Sequence, residues 1–132
     1  MSAIGALGTA ARFTLGGVRL VAGSAGLLAP AVIISRFTDD APAGHPAAIY
    51  GLRLFGIRTV LIGADLFRRQ GPELDHALRV APVIHASDTA TVLALWKNNQ
   101  LEPERARPLA LLSGANTLFA VVALLGSRRR KR

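Results

Sequence analysis

Pro108 to Ser127 reads PLALLSGANTLFAVVALLGS and runs straight into Arg128, Arg129, Arg130, Lys131 and Arg132. The stretch holds no charge and has the length of about 20 residues that a helix needs to cross the hydrocarbon core of a bilayer. Five cations at its end read as a topology signal on the cytoplasmic face. A transmembrane helix with a basic stop is the reading from which the rest follows.

The remaining composition agrees with it. Of 132 residues, 51% are hydrophobic and 18% charged, where soluble domains carry about 25% charged residues. Mean hydropathy is +0.37. Net charge is +8, and the five-residue tail accounts for all but +3 of it. No cysteine is present, which excludes a disulfide scaffold, a thiolate metal site and a cysteine nucleophile. With aromatics at 5% and no basic face interleaved with aromatics, a nucleic-acid partner is not expected.

Three more segments have helical length. Leu20 to Ser35 is charge-free over 16 residues and reaches spanning length if Arg19 snorkels at its end. Pro30 is placed to kink or end it. The segments 47–68 and 74–96 carry charges, and the Gly71-Pro72 step between them marks a hairpin turn. Polar loops with prolines cover 36–46 and 97–107. The apolar runs are too long for strands and show no alternation of period two. The expectation is an all-α, integral membrane four-helix bundle. Residues 1–127 form one transmembrane domain with spans near 13–34, 47–68, 74–96 and 108–127, and 128–132 form a basic cytoplasmic tail. Arg12, followed by an apolar stretch with Ala22-Gly23-Ser24-Ala25, also has some character of a signal peptide. One arginine is a weak basic end, and retention as the first helix is preferred. With an even number of spans, both termini lie in the cytoplasm, together with Arg12 and the Arg68-Arg69 turn.

Ionisable groups within the spans call for partners, because each costs roughly 2.5–3.5 kcal/mol near the bilayer centre. If the second and third spans pack as an antiparallel hairpin, Arg58 lies level with His85 and about one turn from Asp88, and Asp65 lies level with Arg79. Arg79 and Asp88 are half a revolution out of phase, so both cannot face the second span, and Arg79 snorkels. Arg53 sits near the outer end. The candidate site is therefore a midplane polar cluster of Arg58, His85, Asp88 and Asn116, with Arg53, Asp65 and Arg79 as secondary charges. An arginine there suits an anionic headgroup or substrate, and the same groups would also satisfy one another and pin the helix register. His85 and Asp88 alone are too few ligands for a metal, so no metal or cofactor is expected. No catalytic residue is assigned. Arg128, Arg129, Arg130, Lys131 and Arg132 are expected to bind anionic lipid headgroups. The first helix is rich in glycine, and Gly16, Leu20 and Gly23 share a face that would let another helix approach closely.

The middle of the chain resembles a family of small four-span membrane proteins of unknown function, the DUF4267 type of bacteria and fungi. The resemblance rests on Gly51-Leu52-Arg53, Gly56-Ile57-Arg58, Gly63 and Ala86-Ser87-Asp88 and covers roughly 15–95. The DUF4345 and DoxX-like proteins share a similar layout at greater distance. The resemblance implies a helical membrane bundle and supplies no activity. Arginine outnumbers lysine 14 to 2, which suits a high-GC bacterium. The expected role is accessory or structural, with a membrane-protein partner or a second copy. The alternatives are an oligomeric transporter or a lipid- or quinone-directed enzyme using Arg58, His85 and Asp88.

Overall fold

A computed structural model describes residues 3–129, the side chain of Arg129 excepted. It contains helices α1 (Ala3–Leu28), α2 (Pro30–Ile34), α3 (Pro46–Arg68), α4 (Gly71–Lys97) and α5 (Pro103–Arg129), with a 3-10 turn at Pro42–Gly44. Among the described residues there is no strand, and the all-α expectation holds.

Prolines set most of the boundaries. Pro30, Pro46 and Pro72 each stand in the first turn of a helix, where a missing N–H costs nothing. The expected span 13–34 is therefore two helices. α1 starts at Ala3, and the chain breaks at Ala29, in a non-helical conformation before Pro30. Gly71-Pro72, read as a loop, instead opens α4, with Gly71 at φ 58° taking the sharp bend. Only Arg69 and Gln70 separate α3 from α4. The loop expected over 97–107 shortens likewise, because α5 begins at Pro103 and takes in Glu104, Arg105 and Arg107. At the end of α4, Asn99 adopts φ 57°, and the N–H groups of Gln100 and Leu101 close on the carbonyl of Leu95.

Packing departs from the expected hairpin. α1 is the central helix and packs along α3 and α5, while α4 packs on α5 and touches α3 only slightly. Glycines decide this. A Cβ at Gly23 would lie 2.8 Å from the Gly56 carbonyl oxygen, one at Gly26 2.9 Å from that of Leu52, and one at Gly63 2.9 Å from Arg19 Cβ. Residue numbers fall on α3 as they rise on α1, so the pair is antiparallel, with the two backbones in direct contact. Gly8 and Gly126 do the same for α1 and α5. A Cβ on either would come within 2.7 Å of the other's Cα. The core between the helices is correspondingly small-chained. Ala11, Ala81, Ala120 and Ala123 surround Leu15, Leu66 and Leu78, the largest fully buried side chains.

The helices put the beginning of α1, the α3–α4 turn and the end of α5 at one end of the bundle. There a cavity of about 600 Å³ is bordered by Gly5, Gly8, Gln70, Gly71, Gly126 and Ser127. At the other end Arg105 holds the 35–39 segment, donating to the Ser35 carbonyl and pairing with Asp39.

Two helices, Pro46–Arg68 and Pro103–Arg128, are long and apolar enough to cross a membrane. α1 and α4 have the length, but arginines, glycines and the charges of α4 lower their hydropathy. The core helix of a soluble protein passes the same test of length and composition, but it does so while buried. Here only 11% and 22% of the two apolar stretches are buried within the protein. Val21, Leu28, Tyr50, Leu61, Val83, Leu111 and Leu118 are among many large apolar side chains that face outward.

Candidate buried polar site

Arg19 lies in the glycine stripe of α1, four residues before Gly23 and three after Gly16, and is only 3% exposed. Its side chain starts against Gly63 of α3 and crosses to α4. There Nε donates to Nε2 of His85 at 3.0 Å. His85 is itself 5% exposed. Arginine can only donate, so Nε2 carries the lone pair and the neutral ring holds its proton on Nδ1. Nδ1 faces Asp88 Oδ2 at 3.4 Å, a contact without hydrogen-bond geometry. Asp88 is half exposed. A cation, a neutral imidazole and a carboxylate thus run in series from the interior to the surface. Nη1 and Nη2 of Arg19 are buried and have no hydrogen-bond partner.

Hydroxyls extend this layer into α5. Thr89 donates to the His85 carbonyl and lies 3.3 Å from the hydroxyl of Thr117. Thr117 donates to Ser113, and Ser113 to Leu109. Thr9 and Thr91 likewise bond the carbonyl four residues back. This habit hides a hydroxyl inside its own helix and suits a helix surrounded by apolar matter. Ser113 and Asn116 are buried on α5.

Of the four expected cluster residues, Asn116 is buried on α5 next to Thr117 in the sequence, and His85 and Asp88 belong to this layer. Arg58 does not. It is exposed on α3, because α3 and α4 do not pack along their length, and Arg19 takes the place expected for it. Asp65 does not pair with Arg79. Asp65 Oδ1 accepts from Arg69 Nε at 3.1 Å, and Arg69 also donates to Glu73, so one arginine staples the α3–α4 turn. The hydrogen bond to Glu73, then that to Asp65, raises the pKa of the Arg69 guanidinium. Arg53 and Arg79 are exposed. Arg128 is exposed at the end of α5, and the expected lipid contacts of Arg130, Lys131 and Arg132 lie outside the described residues. No group of three or more His, Asp or Glu converges on a point among the described residues.

Arg12 marks the lower end of the same interface. Its Nε donates to the Leu66 carbonyl, and its guanidinium lies over the Phe13 ring, 4.8 Å from the centroid. Phe13 stacks on Phe67 of α3 at 5.3 Å.

No family model matches the chain, and neither curated proteins nor solved structures give a match.

Proposed function

We propose that this chain is an integral membrane protein of four spans, α1, α3, α4 and α5, with an accessory or structural role in the bilayer. The observation that carries the reading is the apolar exterior: the two helices long and apolar enough to span a membrane leave most of their surface uncovered by protein. In water such an exterior would aggregate, whereas in hydrocarbon it is solvated. Backbone contacts through Gly8, Gly56, Gly63 and Gly126 and self-bonded hydroxyls support it, since close packing of small residues drives helix association in lipid. Under this reading Arg19, His85 and Asp88 fix how α1 and α4 sit relative to each other. The basic tail lies on the cytoplasmic side against anionic headgroups. The layout is also what the resemblance to the DUF4267 type implies.

Alkaline carbonate washing of membranes tests the reading. The protein is expected to stay in the pellet and to leave only with detergent. Release by carbonate would show a peripheral or soluble protein and end the proposal.

A further inference from the structure

The unfilled side of Arg19 carries one more step. A guanidinium has five N–H groups, and His85 takes only the one on Nε. The other four, on Nη1 and Nη2, are buried without a partner. Each helix around them offers little. α3 presents Gly63, which has no side chain. On α4, Nε2 of His85 is already used, and Asp88 stands on the far side of the ring. On α5, neither Ser113 nor Asn116, both buried, accepts a hydrogen bond from Arg19. A buried cation with an idle fork is a recognition element, because the Nη edge matches the two oxygens of one carboxylate or phosphate.

The surroundings say how such a ligand would arrive. α3 and α4 are the neighbouring long helices that pack least, and a cleft of about 530 Å³ opens between them. Ile62, Val80 and Ile84 give it apolar walls, Asp65 and Glu73, both paired with Arg69, line it with His76, and Arg19 lies behind these residues rather than in the lining. Ile62 and Ile84 are the chain neighbours of Gly63 and His85, the two residues that Arg19 touches. Arg19 is closed off from this cleft, so a ligand would reach it from this side only if α3 and α4 part.

We infer that Nη1 and Nη2 of Arg19 form a binding site for one phosphate group, free or on a lipid, that enters between α3 and α4. The inference rests on the membrane reading above and deepens it, giving the polar layer a ligand as well as a packing role.

Thermal unfolding of the full chain in a neutral maltoside detergent tests it. The probes are inorganic phosphate against chloride at equal ionic strength, and phosphatidic acid against phosphatidylcholine in the micelle. At least one anionic probe is expected to raise the melting temperature by several degrees, and Arg19→Gln is expected to abolish the rise. A rise with phosphate assigns a free ion, and a rise with phosphatidic acid alone assigns a lipid. The basic tail is the same in both proteins, so only the difference between them counts. If Arg19→Gln does not fold, Arg19→Lys decides: it keeps the charge, lacks the fork, and should need at least tenfold more ligand for the same rise. No rise with either probe, or an undiminished rise in the variant that folds, overturns the site. Neither result would touch carbonate resistance, so the membrane reading is judged separately.

Discussion

Arg19 and His85, separated by 66 positions in the chain, share a buried hydrogen bond from Nε to Nε2 at 3.0 Å. The bond joins the central helix to α4, which packs mainly on α5. Its two partners are unequal. His85→Phe leaves a buried cation without its acceptor and should cost about 3–5 kcal/mol. Arg19→Met removes the charge and leaves only an unpaired imidazole nitrogen, at about 1–3 kcal/mol. The double variant should lose clearly less than the sum. Unfolding in mixed micelles measures all three, and additive losses would mean that the bond contributes nothing.

The glycine contacts predict a sharp division among substitutions that look alike on paper. Gly126→Ala pushes a methyl against Gly8 Cα and should destabilise by about 1–3 kcal/mol. Gly114→Ala and Gly17→Ala meet nothing within 4 Å and should be neutral or stabilising by up to about 1 kcal/mol, since alanine is the better helix former. Melting temperatures of the three proteins in one detergent check the order. Equal effects would contradict the backbone contact between α1 and α5.

Arg58 and Asp88 provide a comparison of opposite sign. Both are exposed, on helices that pack little. Arg58→Leu and Asp88→Asn should therefore be additive within about 0.5 kcal/mol. A coupling well above that would bring back the α3–α4 hairpin and displace the packing described above.

Topology can be read without background, because the chain has no cysteine of its own. Gln70→Cys and Arg128→Cys should react with an impermeant maleimide from one side of the membrane, and Ala41→Cys and Gln100→Cys from the other. Labelling of all four from one side would refute the four-span arrangement.

Much of this was legible in the residues. Pro108 to Ser127 announces its helix by length and lack of charge, and His85 and Asp88 stand out as polar groups in an apolar segment. Helix partners were not legible. Hydrophobic periodicity says which face of a helix is buried but not against which neighbour, and a two-residue turn suggests that α3 and α4 pack when only their ends are tied. The stripe of Gly16 and Gly23 already contained Arg19. The arginine reads as snorkelling only if the helix starts near residue 13. Since α1 begins at Ala3, Arg19 stands well inside it, and its side chain is buried against α3 and α4.

The place of α1 has a consequence for biogenesis. α1 is made before α3 and α5, the two helices that cover it, and the Gly8–Gly126 contact waits until α5 has been made. Until α5 is made, the glycine groove of α1 lacks its cover on one side. Arg19 meets His85 only after α4 is in place. The bundle therefore closes only once α5 has been made, and a chain stopped before Pro103 would leave that seam of α1 open.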